Sequence, residues 1–214
     1  MVESTLKRNS WENYGEECEK IYKEVSDYIL KKKIKIDAII PILRGAMTLD
    51  SFLAYRLKIL RILPVQYKYF FVSKNKAELR QILFTPSKEI IKTKNPTFLV
   101  VEGDQCYGNT VITTIKDLKK EFPNCKILHA ADCVDHKYKE VIKDTEAQFY
   151  GRYTNHCEEL SKEECDSIGI DFESTIAPWE NQEEENATIE GKQFIYEDLK
   201  KVKEDSKEKM DINF

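Results

Sequence analysis

Two strand–turn–helix patterns constrain the fold of this chain more than any other feature of its sequence. Residues 36–43 and 97–102 are almost continuous apolar runs rich in β-branched residues, and such runs predict strands buried on both faces of a parallel sheet. Each run is followed by a short turn and then by apolar residues three or four positions apart, a spacing typical of one face of a helix. Strands that alternate with helices in this way predict an α/β fold, with helices flanking a parallel twisted sheet.

The rest of the chain extends this pattern. A three-four spacing of apolar residues predicts an opening helix over residues 11–32. Further strands are predicted at residues 64–72, 126–132 and 147–151. Residues 73–93 are polar with weak periodicity and predict a hairpin or a mobile excursion, whereas residues 194–207 predict a peripheral helix.

Length and charge favour one soluble domain with a C-terminal appendage. The chain has 214 residues and a formal net charge of −4. The acidic excess lies in residues 181–214, which we interpret as a solvated tail beyond a neutral domain of residues 1–180. A neutral domain has no net positive potential to attract the phosphates of a nucleic acid, so we expect no nucleic-acid partner. Because the sequence has neither an apolar run of membrane-spanning length nor a secretory signal, we expect a cytoplasmic protein without a membrane partner.

The cysteines of such a chain are expected to be free thiols. There are six of them, and no CxxC pair occurs. His156 and Cys157, followed by Cys165, are too sparse for a closed zinc site. We therefore expect no structural zinc.

The turn at Arg44 and Gly45 is suited to binding an anion. In an open parallel sheet, ligands bind beyond the carboxyl ends of the strands. There a guanidinium group would meet the amides at the start of a helix, which carry partial positive charge. A surface ion pair is the alternative for Arg44, but its position directly after a buried strand favours phosphate.

The turn that follows the second strand, residues 102–110, has the same character. Gly108 would let the backbone approach a phosphate, and Thr110 would add a hydroxyl donor. The carboxylates of Glu102 and Asp104 would accept hydrogen bonds from ribose hydroxyls or bind Mg²⁺. An ordinary turn is the alternative interpretation.

The same segment also approximates a P-loop. Gly103 and Gly108 have the G-x-x-x-x-G spacing, but Asn109 replaces the lysine that meets the β and γ phosphates. A degenerate P-loop nucleotide-binding protein is therefore a further alternative.

Taken together, the two turns resemble those of the type I phosphoribosyltransferases. The segment IIPILRGAM is similar to the pyrophosphate loop of that family, and TFLVVEGDQCYGNT is similar to its ribose-5-phosphate loop. IAPWE at residues 176–180 resembles the hood segment of small purine enzymes of the xanthine-guanine and hypoxanthine-guanine kind, and FYG at residues 149–151 fits a late strand. The resemblance covers about residues 11–180, and the tail lies outside it.

This resemblance implies a fold and an activity. The fold would be that of the type I phosphoribosyltransferases, with a small hood formed by about residues 150–180 together with the N-terminal part. The activity would be Mg²⁺-dependent transfer of a 5-phosphoribosyl group from phosphoribosyl pyrophosphate to a purine base, with release of pyrophosphate, as in nucleotide salvage. A homodimer or homotetramer would be usual.

The resemblance also assigns roles to residues. Arg44, Glu102 and Asp104 would form the catalytic group, with Glu102 also binding Mg²⁺. Pyrophosphate would be held by Arg44, Gly45 and Ala46. The 5-phosphate would be held by Cys106, Tyr107, Gly108, Asn109 and Thr110. Lys68 would lie in a mobile flap of residues 67–86, and the base would be contacted by Lys137, Ile176, Trp179 and Phe172.

Three departures from the family pattern bear on activity. Gly103 stands at the position of the second acid of the ribose-5-phosphate loop, where Asp104 is a neighbouring substitute. Cys106 stands where related purine enzymes carry an aspartate for the N7 proton, and Ser174 where some carry a stacking tryptophan. Two functions follow: an active purine phosphoribosyltransferase with a modified acid set, or a non-catalytic relative that binds phosphoribosyl pyrophosphate or a nucleotide as a regulator.

Overall fold

The chain folds around a central sheet, in a computed structural model that describes residues 6–73, 75–157, 159–172, 175–194 and 199–213. In chain order the elements are β1 (Lys7–Arg8), α1 (Trp11–Lys32), β2 (Ala38–Leu43), α2 (Met47–Leu57), β3 (Val65–Ser73), β4 (Lys76–Phe84), β5 (Thr97–Gln105), α3 (Asn109–Glu121), β6 (Lys126–Asp135), β7 (Ala147–Thr154), α4 (Lys162–Ile168), β8 (Thr175–Ile176), α5 (Gln182–Ile189), α6 (Leu199–Asp205) and β9 (Lys209–Asn213).

The central sheet has seven strands in the order β7–β6–β5–β2–β3–β4–β9. The strands from β7 to β3 are parallel, whereas β4 and β9 add two antiparallel strands at one edge. This arrangement confirms the predicted α/β fold with a largely parallel sheet. The fully buried strands β2 and β5 lie side by side near its centre.

Helices cover both faces of the sheet. Ile39 and Leu99 belong to a core cluster that includes residues of α1 and α2. Ile40 and Val100, their neighbours in the chain, belong to a second cluster with residues of α3. Successive residues of β2 and β5 therefore pack on opposite faces, which explains why these strands are apolar throughout. None of the described helices is both long and apolar enough to span a membrane.

The predicted opening helix is confirmed as α1, and its ends follow from local chemistry. The Ser10 side chain accepts a hydrogen bond from the amide of Asn13, which caps the first turn. Lys33, in the left-handed conformation with φ of 53°, ends the helix.

Strand β5 is longer than its apolar run predicts. It continues to Gln105, because Asp104 and Gln105 pair with Cys133 and Val134 of β6. Gly103 and Asp104 consequently lie in a strand rather than in a loop. The turn between β5 and α3 contains only residues 106–108.

The C-terminal tail joins the sheet rather than remaining peripheral and solvated. Strand β9 pairs with β4, which lies in the region predicted as a hairpin or excursion and forms a hairpin with the predicted strand β3. Ile212 is buried and Met210 packs against the core, so a short apolar alternation holds this strand in place. Of the helix predicted over residues 194–207, the structure describes α6, and residues 195–198 lie outside the described part.

A small second sheet lies at the carboxyl edge of the main one. Strands β1 and β8 pair in parallel, and the amide of Asn9 donates to the carbonyl of Ile176 at 2.8 Å. The Arg8 guanidinium donates to the carbonyl oxygens of Ala177, Pro178 and Glu180 at 3.0, 3.0 and 2.9 Å. The chain start thereby anchors residues 176–180, which we call the hood segment.

Candidate functional site

The two turns singled out in the sequence meet in the structure. Because β2 and β5 pair in parallel, with Pro41 opposite Val101, both strands end at the same edge of the sheet. A Cβ atom on Gly103 would lie only 2.7 Å from the carbonyl carbon of Gly45 and 2.8 Å from its oxygen. The turn after β2 therefore touches the backbone of β5 just before the second turn. Position 103 has no room for the acid that the family pattern places there.

The helices that follow these turns begin without side-chain caps. The N-cap residues of α2 and α3 are Ala46 and Gly108, and neither accepts a hydrogen bond through a side chain. In contrast, α1, α4 and α5 are capped by Ser10, Ser161 and Asn181. Uncapped helix starts suit anions, which can accept from the first amides. The amide of Ala46, however, donates to the carbonyl of Ile42 at 3.2 Å and is already engaged within its turn.

Gly108 is required by both conformation and space. Its φ of +76° is in the left-handed region, which glycine adopts readily. A Cβ atom there would lie 2.8 Å from Cγ2 of Val141. The turn into α3 is thus held close to the segment that follows β6.

Glu102 is buried and fully engaged within the protein. Its two carboxyl oxygens accept from the Gly103 amide at 3.0 Å and from the Thr110 hydroxyl at 2.7 Å. Burial raises the pKa of Glu102 to about 8, although both hydrogen bonds oppose the shift. The carboxyl group ties the end of β5 to the start of α3.

Asp104, unlike Glu102, is not fully hydrogen-bonded by the described residues. Its Oδ1 atom is buried and has no hydrogen-bond partner in the described part of the chain. Its Oδ2 atom lies 3.4 Å from Nδ1 of His156. A buried carboxylate oxygen without a partner is costly to the fold, so this atom is available to a ligand.

A narrow cavity lies between the hood segment and the ends of β5, β6 and β7. Its lining includes Asp104, Asp132, Arg152, Thr175, Trp179 and Glu180. Burial raises the pKa of Asp132 and of Glu180. The Oδ1 atom of Asp132 has no partner among the described residues, and Arg152 Nε lies 2.8 Å from Oε1 of Glu17. The cavity is consequently rich in carboxyl groups, with a single arginine among its lining residues.

Trp179 is fixed by two aromatic side chains of α1. Its ring centroid lies 4.5 Å from that of Tyr14 and 5.6 Å from that of Trp11. Ile176 is buried beside it in β8. Of the predicted base-contacting residues of the hood, Trp179 lines the cavity, whereas Ile176 is not among its lining residues. Phe172 is partly exposed, and Ser174 lies outside the described residues.

Arg44, predicted at the pyrophosphate end, and Lys68, predicted in the flap, converge on one carboxylate. Nη2 of Arg44 lies 2.8 and 2.7 Å from the two oxygens of Glu184, and Lys68 Nζ lies 2.9 Å from Oε1. Burial opposes ionisation of Glu184, but hydrogen bonds from Lys68 and Arg44 prevail and lower its pKa. Glu184 belongs to α5, in the tail outside the family resemblance.

Other predicted site residues point toward the segment after β6. Lys137 pairs with Glu159, and its Nζ atom lies 5.6 Å from the centre of the Tyr138 ring. The Tyr107 ring packs edge-on against Tyr138, with centroids 4.9 Å apart. The structure therefore brings Arg44, Lys68, the two glycine turns and the hood together, but engages Lys137 elsewhere.

Sequence reasoning did not identify Asp132, Arg152 and Glu184 as site residues. The first two were detectable, since they lie near the carboxyl ends of β6 and β7, where ligands of parallel sheets bind. Glu184 carried no comparable signal, because it is one of three consecutive glutamates.

Similarity to known proteins is found at the level of structure and not of sequence. No family model and no curated protein matches the sequence. A purine phosphoribosyltransferase from Pyrococcus horikoshii is 14% identical, with a TM-score of 0.57 over 82% of this chain and 93% of that one. A hypothetical protein from Neisseria gonorrhoeae with bound ppGpp is 18% identical, with a TM-score of 0.62 over 89% and 98%. A hypoxanthine-guanine phosphoribosyltransferase from Bacillus anthracis is 13% identical, with a TM-score of 0.51 over 71% and 84%.

Proposed function

We propose that this chain, which has the type I phosphoribosyltransferase fold, transfers a 5-phosphoribosyl group from phosphoribosyl pyrophosphate to a purine base and releases pyrophosphate. The observation that carries the proposal is the contact between Gly45 and Gly103, which packs the turn after β2 against the end of β5, so that the two proposed anion-binding turns lie at the ends of adjacent parallel strands. The chemistry needs such a pair, since one substrate presents a pyrophosphate and a 5-phosphate on either side of its ribose.

The two ends of that substrate would meet different groups. Negative charge builds on pyrophosphate as it departs, so catalysis requires fixed positive charge there. Arg44 and Lys68 supply it, because both already hold a carboxylate at 2.7–2.9 Å. The 5-phosphate would bind at the uncapped start of α3, where Gly108 and Thr110 lie. Pyrophosphate would then replace the Glu184 carboxylate.

The carboxyl groups would divide between ribose and metal. Mg²⁺ commonly binds through one or two carboxylates together with substrate phosphates and water. Among the described residues no three His, Cys, Asp or Glu side chains form a metal-binding group, so the ion would enter with the substrate. The unpartnered Oδ1 of Asp104 fits it better than Glu102, whose oxygens are both engaged. When bound, Mg²⁺ would neutralise charge on the departing pyrophosphate.

The purine base would enter beneath the hood, which would have to open, because the cavity there has a volume of about 10 Å³ and holds about one water molecule. Trp179, held by Tyr14 and Trp11, would form an apolar wall against the ring. Asp132 and Glu180, whose pKa values are raised by burial, would offer both a donor and an acceptor when protonated. These groups suit the alternating donors and acceptors at the edge of a base.

A second candidate function is nucleotide binding without catalysis. It is favoured by the glycine at position 103 and by the gonococcal structure, which has ppGpp bound. A nucleotide bearing pyrophosphate would meet the same Arg44 and Lys68 pair. The P-loop alternative gains no support, because Asn109 replaces its lysine and the fold is that of phosphoribosyltransferases.

Pyrophosphate release tests the proposal. Purified protein with Mg²⁺ and phosphoribosyl pyrophosphate is assayed against hypoxanthine, guanine, xanthine and adenine, with Arg44→Ala and the control Arg56→Ala. Arg56 also lies near a helix end and pairs with Glu19, away from the turns. We expect turnover with at least one base, lost in Arg44→Ala and kept in the control. Binding of phosphoribosyl pyrophosphate without turnover on any base would select the regulatory function.

A further inference from the structure

Two cysteines from separate segments meet beside the turn that leads into α3. Cys106 follows β5 directly, and Cys157 lies three positions after the end of β7. Their Sγ atoms are 2.7 Å apart, which is closer than the ordinary separation of two non-bonded atoms of this size, roughly 3.5–4.0 Å. A modest side-chain movement would bring them to bonding distance.

The Cys106–Cys157 pair is more accessible than three of the other cysteines, although the adjacent Cys157 thiol and burial raise the pKa of Cys106. Cys106 and Cys157 are half-buried, whereas Cys18, Cys133 and Cys165 are buried. A small molecule can therefore reach the pair more easily than those three thiols. The amide of Cys157 donates to Oδ2 of Asp135 at 2.8 Å, which holds this segment against the end of β6.

We propose that Cys106 and Cys157 form a reversible disulfide, made by exchange with a low-molecular-weight disulfide, which controls phosphate binding at the α3 turn. The effect of the disulfide on phosphate binding rests on the proposed function, whereas formation of the disulfide does not. No other two cysteine Sγ atoms among the described residues lie within hydrogen-bond distance of each other.

The exchange takes two balanced steps. The Cys157 thiolate attacks the small disulfide, so that one Cys157–sulfur bond forms and one small thiolate leaves. Cys106 then loses its proton to solvent and attacks Sγ of Cys157, which expels the second small thiolate. The two cysteines lose two electrons in total, and the small disulfide is reduced to two thiols.

The bond would restrain the turn that is proposed to hold the 5-phosphate. Cys106 begins that turn and Gly108 ends it. Gly108 is already packed against Val141. A covalent tie at the other end would leave residues 106–108 unable to adjust to a phosphate, and displacements of about 1 Å can cost about a hundredfold in such sites. We expect the oxidised protein to bind phosphoribosyl pyrophosphate at least tenfold more weakly.

Peptide mapping and binding together test the proposal. The full chain is equilibrated in oxidised and reduced glutathione, free thiols are counted under denaturing conditions, and linked peptides are identified by mass spectrometry. We expect the count to fall from six by two, with one linked peptide pair containing Cys106 and Cys157. Cys157→Ser should retain the affinity of the reduced protein in both buffers. The control Cys125→Ser should respond to oxidation as the natural chain does.

The outcomes separate the two proposals. Retention of all thiols, or linkage through other cysteines, overturns the disulfide. A Cys106–Cys157 linkage with unchanged ligand affinity overturns its control of binding. If the reduced protein binds no phosphoribosyl pyrophosphate while the linkage forms, the proposed function fails and the modification site stands. Cys157→Ala serves as a second variant if the serine form does not fold.

Discussion

Replacing Glu184 by glutamine should strengthen the binding of pyrophosphate. Glu184 is the carboxylate that Arg44 and Lys68 share, and an entering pyrophosphate has to displace it. Glutamine keeps the size and one acceptor oxygen of the side chain but removes the charge. The two cations would then be held less firmly and would exchange partners more easily.

The size of the effect follows from the exposure of the three side chains. Arg44 is 59% exposed and Lys68 25% exposed, whereas Glu184 is 11% exposed. Exposed ion pairs contribute about 0.2–1 kcal/mol each, and partial burial of the shared carboxylate places this triad near the upper end. Together the two pairs contribute about 1–2 kcal/mol, which corresponds to about a 5- to 30-fold gain in affinity for pyrophosphate.

Isothermal titration with pyrophosphate and with phosphoribosyl pyrophosphate measures this gain. The matched control is Glu183→Gln, because Glu183 is exposed on the same helix and its removal changes the net charge equally. Ribose 5-phosphate, which lacks pyrophosphate, should bind equally to both variants. Weaker pyrophosphate binding in Glu184→Gln, or an equal gain in Glu183→Gln, would refute the reasoning.

Two further predictions concern the end of β5. Gly103→Ala should lower the free energy of unfolding by about 1–3 kcal/mol, because the new Cβ would lie 2.7 Å from Gly45; Gly15→Ala, in α1 with nothing within 4 Å, should raise it by up to about 1 kcal/mol. Urea unfolding compares them, and an unaffected Gly103→Ala would contradict the contact. Burial raises the pKa of Glu102 from 4.5 to about 8, so its stabilising effect is complete below about pH 4.5 and is lost as pH rises through about 8. Between about pH 4.5 and 8, the free energy of unfolding of the natural chain should fall by up to about 1.4 kcal/mol per pH unit relative to that of Glu102→Gln. If the two free energies changed in parallel with pH, the raised pKa of Glu102 would be ruled out.

The central strands and the opening helix could be predicted because their signals are local. The apolar run of residues 36–43 and the helical spacing of residues 11–32 need no knowledge of the rest of the chain. The extension of β5 to Gln105 could not be predicted, because residues 103–105 are Gly-Asp-Gln and only pairing with β6 makes them a strand. Tertiary contact overrides local propensity there.

Some residues of the candidate site could likewise be predicted from the sequence, and others could not. Arg44 and Gly108 stand in turns that follow apolar strands, so their location was predictable from the order of elements. Glu184 was not, because it meets Arg44 across 140 positions of sequence and its neighbours Glu183 and Glu185 are chemically identical. Only the folded arrangement distinguishes them, since Asn181 caps α5 and Glu184 meets Lys68 of β3 as well as Arg44.

The backbone contact between Gly45 and Gly103 limits the spacing of anionic groups in a ligand that the site can bind. The two turns cannot slide relative to each other without separating β2 from β5 at the centre of the sheet. The distance between the two proposed anion positions is thus set by the sheet, not by side chains that adapt. A molecule whose anionic groups are spaced by one ribose would engage both positions, whereas a longer or shorter spacer would leave one of them unfilled.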